Sequence, residues 1–126
     1  MNANLAALLA RWLDAPGRAL YRHWTGERWE DVSAGDVAAR AARWQAAFRR
    51  EGFVPGDRIA ICVRNGVQWV AIDQAALGLG LVVVPLYVDD NPDNIAWCTA
   101  HAEARLIVVD GSRMAEALRK LAGTYA

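Results

Sequence analysis

The segment from Arg58 to Tyr87 constrains the fold of this chain more than any other part. It reads as a buried strand over residues 58–63, a helix that begins within Asn65–Trp69, and a second apolar strand over Leu81–Val84. A strand that is apolar at nearly every position must be covered on both faces, which is typical of parallel sheets. Parallel neighbours need a crossover between them, and the helix supplies it. The sequence therefore predicts a β–α–β unit within an α/β protein.

Apolar periodicity extends this architecture in both directions. It predicts an N-terminal helix that ends before Pro16-Gly17, and a β-hairpin that turns at Gly26. From Ser33 onward the predicted order is α-β-α-β-α-β-α, with strands that start at Arg58, Leu81 and Leu106. The fold class is α/β: a partial doubly wound parallel sheet with helices on both faces, plus the N-terminal helix and hairpin. Such a narrow sheet fits an incomplete domain better than a complete one.

Capping residues predict where the helices begin. Ser33 and Asp36 have the spacing of a capping box, and Asn91-Pro92 places a cap before a proline at the first helical position. Ser112 is the candidate cap of the last helix. These are the only serines in the chain, so both are explained as caps rather than as nucleophiles.

Composition excludes several classes of protein. Fourteen basic and fourteen acidic residues cancel, so there is no electrostatic footprint for nucleic acid. The most apolar run, Ala75–Val88, is shorter than the roughly 20 residues that span a bilayer, and no signal peptide is recognisable. Cys62 and Cys98 lack paired spacing, and we expect buried, reduced thiols. We therefore expect a cytoplasmic protein without a membrane span or a nucleic-acid partner.

No phosphate-binding or metal-binding motif is recognisable among the glycines, the lysine and the histidines. Gly78-Leu-Gly80 has the first two positions of a dinucleotide fingerprint, but it follows a helix and precedes a strand, the reverse of the order such loops need. A tight helix-to-strand connection is favoured. The only lysine is Lys120, within the last predicted helix. His23 and His101 have no metal-ligand spacing and are expected at the surface.

Three further features each have a chemical and a structural interpretation. Asp73, one turn after Trp69, is either a catalytic base or a structural carboxylate that is hydrogen-bonded or paired with an arginine. An acidic cluster is either a divalent-cation site or a helix-start loop; its members are Asp89, Asp90 and Asp93. Six tryptophans form either a stacking platform or core packing; they are Trp12, Trp24, Trp29, Trp44, Trp69 and Trp97. The structural interpretation is favoured each time.

Four motifs together resemble the N-terminal part of the adenylate-forming acyl-CoA synthetases, which are AMP-binding enzymes. The motifs are Pro55-Gly-Asp-Arg58, Asn65 to Trp69, Ala76-Leu-Gly-Leu-Gly80 and Val83-Val-Pro-Leu-Tyr87. The resemblance is best from about Thr25 to Gly111. The last motif looks more like the fatty acyl-CoA synthetases than the amino-acid adenylation domains.

The resemblance implies an intact parent that activates a carboxylic acid, with a medium- or long-chain fatty acid preferred. Such enzymes use ATP and Mg²⁺ to form an acyl-adenylate, and coenzyme A then displaces AMP. The family's phosphate loop, Tyr-Gly-x-Thr-Glu motif, ribose-binding aspartate and C-terminal lysine do not occur in this sequence. We therefore assign no catalytic, cofactor-binding or metal-binding residue here. ATP, Mg²⁺ and coenzyme A are expected only for the parent.

Residues 1–126 are accordingly expected to be the N-terminal subdomain of the large domain of such a ligase, structural and inactive alone, with the catalytic core and C-terminal domain absent. One alternative is a stand-alone, non-catalytic α/β module that binds a partner, or a copy of itself, through its unfinished sheet edge. Another alternative is the start of an amino-acid adenylation domain.

Overall fold

The computed structural model describes residues 4–125 and contains the predicted order of elements. Its helices and strands are α1 (Ala6–Trp12), β1 (Ala19–Trp24), β2 (Trp29–Ser33), α2 (Ala34–Arg50), β3 (Arg58–Cys62), α3 (Val67–Gly78), β4 (Val82–Pro85), α4 (Pro92–His101), β5 (Leu106–Val109) and α5 (Gly111–Lys120). Strands β1 and β2 form an antiparallel hairpin, in which Trp24 lies opposite Trp29. Each predicted strand of the central sheet starts within one residue of its observed start.

The central sheet has the strand order β4-β3-β5, and both pairings are parallel. Helix α3 connects β3 to β4, and α4 returns past β3 to β5. The chain thus reverses its direction across the sheet at β4. Right-handed crossovers in opposite directions place their helices on opposite faces. The partial doubly wound sheet predicted from sequence is confirmed.

Strand β3 is the centre of the core, because its residues from Ile59 to Cys62 are at most 1% exposed. Ile59 and Ile61 belong to one apolar cluster with Phe48 of α2 and Ile72 of α3. The alternate face of the sheet carries Ala60 and its register partner Ile107. Ile107 lines a small cavity together with residues of α4 and α5, so these helices cover the second face.

The N-cap residues of α2 and α4 are those predicted from the sequence, whereas the N-cap residue of α5 is not. Ser33 Oγ accepts a hydrogen bond from the Asp36 N–H at 3.1 Å, and Asp36 Oδ2 accepts one from the Ser33 N–H at 3.1 Å. Ser112, predicted to cap α5, instead lies inside that helix, and Asp110 occupies the N-cap position. The Asp110 carboxylate makes no capping bond either, because it accepts a hydrogen bond from the Arg64 N–H at 2.6 Å.

The sequence favours core packing for most of the tryptophans, and this prediction is wrong, because four of the six are exposed. Trp44 and Trp69 pack against the core cluster while partly exposed. The exposed fractions of the other four are 37% for Trp12, 49% for Trp24, 64% for Trp29 and 48% for Trp97. Large aromatic residues tolerate partial exposure when one ring face contacts a neighbour, as Trp24 and Trp29 do with ring centroids 5.5 Å apart.

Both cysteines are free, and only Cys62 is buried as predicted, since Cys98 is half-buried in α4. Among the helices within residues 4–125, none combines the length and the apolar character needed to cross a bilayer.

Candidate functional site

A wide concavity lies at the carboxyl ends of β3 and β4. It is an open groove of about 880 Å³. Its lining residues are Val63, Arg64, Asn65, Trp69, Pro85, Leu86, Tyr87, Val88, Asp89 and Asp90. Ligands of open α/β sheets bind outside the carboxyl ends of the strands, where the connecting loops diverge. The position of this groove therefore makes it the candidate functional site.

The backbone of the wall that follows β4 is held by contacts with the central strand. The Leu86 N–H donates to the Ile61 carbonyl at 2.9 Å, which extends the β3–β4 pairing into the loop. The Cys62 thiol contacts the Tyr87 carbonyl at 3.6 Å. Burial raises the pKa of Cys62, and the negative charges of Asp110 and Asp90 add to that effect. Cys62 is therefore a protonated structural thiol rather than a thiolate nucleophile.

The acidic cluster supports the start of α4. Asp90 accepts hydrogen bonds from the Asn91 N–H at 2.8 Å and from the Asn94 side chain, while Asn91 caps the helix. Asp93 accepts a hydrogen bond from the Tyr125 hydroxyl at 3.1 Å. Asp89 lies 3.8 Å from the Arg64 guanidinium, and both side chains are exposed, so this pair contributes little. Within residues 4–125, no group of His, Cys, Asp and Glu side chains has a metal-binding arrangement.

Aromatic side chains give the groove its apolar character. Trp69 lies in the first turn of α3 and lines the groove, and Tyr87, which also lines it, is 86% exposed.

Asp73 is half-buried one turn after Trp69 and does not line the groove. Burial raises the pKa of Asp73, and a hydrogen bond with the Gln74 side chain opposes that shift. The arginine partner considered for Asp73 is not found among the described residues.

Gly78-Leu-Gly80 forms the tight helix-to-strand connection that the sequence predicts. Gly80 has a φ of 70°, and a Cβ atom there would lie 3.2 Å from the Cβ of Pro55. The Gly56 N–H donates to the Gly80 carbonyl at 2.9 Å, which joins this connection to the turn before β3. Glycine is needed here because the backbone is left-handed and the Pro55 ring is close.

Both histidines are at the surface, as expected. His23 lies on the exposed strand β1, and His101 stacks on Trp97 with ring centroids 4.8 Å apart. No sequence motif marks Arg64 or Asp110 as site residues, although they meet at the groove end of the sheet. Their positions directly after two apolar strands were the available signal, because parallel strands end at the same edge.

The groove therefore combines an apolar and aromatic surface with a polar rim of one arginine, one asparagine and two aspartates. Among the described residues that line it, there is no pair of a nucleophile (serine, cysteine, threonine or lysine) and a histidine that could act as its base. Such a pair is the usual arrangement of an activated nucleophile. This arrangement suits contact with a ligand or another polypeptide segment rather than covalent chemistry by these residues alone.

Comparison with known proteins identifies the family. The family model described as AMP-binding enzyme matches residues 10–125. The chain belongs to the AMP-binding enzyme family. The match includes both walls of the groove and every strand of the sheet.

Curated relatives and a solved structure agree with this assignment. Long-chain-fatty-acid–CoA ligase FadD15 of Mycobacterium bovis is 24% identical over 111 residues, which are 88% of this chain and 18% of that protein. Acyl-CoA ligase sidI of Aspergillus fumigatus is 33% identical over 84 residues, which are 67% of this chain and 14% of that protein. Apo MatB of Rhodopseudomonas palustris superposes with a TM-score of 0.78 and 27% identity, over 96% of this chain and 24% of MatB. The chain thus spans less than a fifth of the length of these two curated relatives.

Proposed function

We propose that this chain forms the N-terminal subdomain of the large domain of an AMP-forming acid–CoA ligase. The observation that carries the proposal is the family match over residues 10–125. The four motifs that resemble the family lie within the matched residues and agree with it. A stand-alone interaction module is not favoured, since such a module would have no reason to keep the family's turns and strands in order.

In this proposal the chain provides a scaffold, and other parts of the ligase provide the chemistry. Adenylation requires that Mg²⁺–ATP and the carboxylate be held together, so that the carboxylate attacks the α-phosphate and pyrophosphate leaves. Coenzyme A thiol then displaces AMP. The described residues contribute a rigid sheet and the groove beside Trp69 and Tyr87, against which the remaining structure can be positioned.

We propose a fatty acid of medium or long chain as the substrate of the intact ligase, acting in the cytoplasm. The name of FadD15 and the Val83–Tyr87 motif support this acid class. The name of sidI is consistent with ligation to coenzyme A but specifies no acid. The start of an amino-acid adenylation domain is the remaining alternative.

The test is the reaction of a longer protein that contains this chain, supplied with ATP, Mg²⁺, coenzyme A and a panel of acids. We expect acyl-CoA and AMP in equal amounts with medium- and long-chain fatty acids. Production of ADP would contradict an adenylate-forming mechanism. Activation of amino acids alone would replace the fatty-acid proposal with the adenylation-domain alternative.

The same proposal predicts that the chain of 126 residues is inactive alone. It should catalyse no ATP–pyrophosphate exchange with any fatty acid and show no micromolar ATP binding in calorimetry, since the family's phosphate-binding motifs are not in its sequence. Saturable micromolar binding of ATP would contradict the scaffold role.

A further inference from the structure

A second concavity lies between α2 and α3. Its volume is about 280 Å³. It is lined by Arg40, Arg43, Trp44, Ala47 and Gln68. It therefore has two guanidinium groups, an amide and an aromatic ring around one small space, with no acidic residue in its lining.

Neither Arg40 nor Arg43 forms an ion pair with a residue that the structure describes. Neither guanidinium has a carboxylate within 4.0 Å among residues 4–125. They are one turn apart on an exposed helix face, where like charges repel. Between Asp36 and Glu51 the helix contains no acidic residue that could offset them. The sequence of α2 thus leaves a local excess of positive charge at this concavity.

The carboxylate of Asp36, one turn before Arg40 on α2, is held by other donors. Asp36 Oδ2 accepts hydrogen bonds from the Ser33 N–H at 3.1 Å and from the Ser33 hydroxyl at 2.8 Å. These hydrogen bonds lower the pKa of Asp36, and the Arg40 charge adds to the effect. Arg40 is thus near enough to lower the pKa of Asp36, although the two side chains form no ion pair.

The other carboxylates of the adjoining depression are also occupied. Asp31 is bound by Arg22 at 2.8 Å, and Glu30 is bound by Arg28 at 2.6 Å. Each of these acidic side chains therefore has a cation of its own on the hairpin. The positive charge at Arg40 and Arg43 is left for a ligand from solution.

We propose that Arg40, Arg43 and Gln68 bind a phosphate group. A phosphate dianion matches two guanidinium charges, and its oxygens accept bidentate hydrogen bonds from planar guanidinium forks. The Gln68 amide supplies a further donor. Trp44 adds a ring face on which the base of a nucleotide can stack. None of these residues takes part in the ligase chemistry proposed above.

The test is a titration of the ¹⁵N-labelled chain with inorganic phosphate, at constant ionic strength set with chloride. We expect saturable shifts of the Arg40 and Arg43 Nε–H signals and of the Gln68 amide, with a dissociation constant on the order of millimolar. A second arm uses AMP. Equal affinity for both ligands assigns the site to phosphate itself, whereas tighter AMP binding with a shift of the Trp44 indole signal assigns it to a nucleotide.

Matched variants separate a site from general charge attraction. Arg40→Gln with Arg43→Gln should weaken phosphate binding by at least about tenfold, because charge-assisted hydrogen bonds are lost. Arg49→Gln with Arg50→Gln removes the same charge from the end of the same helix, outside the concavity, and should leave binding unchanged. Equal weakening in both variants, or shifts spread over all arginines without saturation, would overturn the proposal.

Discussion

At the scale of single residues, Asp57 joins parts of the chain that are far apart in sequence. Its carboxylate accepts a hydrogen bond from the Val54 N–H at 2.9 Å and forms an ion pair with Arg105. The Arg105 guanidinium also lies 4.5 Å from the centre of the Phe53 ring. The turn before β3 is thereby tied to the start of β5. The turn follows from the local sequence but the ion pair does not, because no local pattern relates residues 48 positions apart.

This contact predicts a pH-dependent contribution of Asp57 to stability. The Val54 hydrogen bond, and after it Arg105, hold the pKa of Asp57 below its ordinary value, although burial opposes them. A carboxyl whose pKa is lowered by folding stabilises the protein above its unfolded pKa of about 3.9, and that contribution is lost as the pH falls through the lower folded value.

Asp57→Asn should therefore lower the free energy of unfolding at pH 7, and the difference from the parent chain should shrink below about pH 4. Urea unfolding across this range measures it. Asp31→Asn, in an exposed ion pair with Arg22, is the control and should have a smaller effect at pH 7. A difference that stays constant down to the acid limit would show that the Asp57 charge is not its source.

At the scale of elements, the two serines that the sequence marks as helix caps are predicted to differ in their contribution to stability. Ser33 makes a capping box with Asp36, so Ser33→Ala should destabilise the protein by about 1 kcal/mol. Ser112 lies inside α5, so Ser112→Ala should have almost no effect. Chemical denaturation of the two variants makes the comparison. Equal losses would mean that Ser112 caps α5, as the sequence alone predicts.

The buried face of α3 gives the second prediction at this scale. Periodicity predicts a stripe of Trp69, Ile72 and Ala76; Ile72 is 1% exposed and Ala76 is fully buried, whereas Trp69 is only partly buried at the groove. Ile72→Ala should cost about 2–5 kcal/mol because it leaves a cavity between α3 and β3. Trp69→Ala should cost less.

Guanidinium unfolding, followed by far-ultraviolet circular dichroism, ranks these variants without relying on tryptophan fluorescence. His101→Ala is the control, because the His101 side chain is exposed and stacks on the exposed Trp97 ring. A larger loss for Trp69→Ala than for Ile72→Ala would place the centre of the core at the groove rather than at β3.

The helices and strands predicted from the sequence agree with those of the structure for a physical reason. Glycine, proline and capping side chains fix the local backbone, so the turn at Gly56 and the α2 cap follow from neighbouring residues. Burial of an aromatic residue depends instead on which face of an element meets the rest of the fold. For the hairpin, Val32 and His23 line the depression beside α2, so the face with Trp24 and Trp29 points outward. Hydrophobicity alone cannot distinguish the two faces.

At the scale of the whole molecule, the three-stranded sheet has two unpaired edges within residues 4–125, at β4 and β5. Apolar side chains are exposed in β4 and directly after it, since Val82 is 46% exposed and Tyr87 is 86% exposed. Unpaired backbone groups beside exposed apolar side chains favour pairing with another strand. We therefore expect the chain of 126 residues to self-associate through β4.

Sedimentation velocity from micromolar to near-millimolar protein measures this association, and we expect the sedimentation coefficient to rise with concentration. Val82→Lys should reduce association, because a charged side chain on an edge strand must be desolvated when a second strand pairs with it. Val54→Lys is the matched control: Val54 is 57% exposed but lies in the turn before β3, outside the sheet edge. A chain that stays monomeric throughout would rule out edge pairing. If both lysine variants reduce association equally, added charge rather than the β4 edge is the cause, and the interface must be sought on another surface.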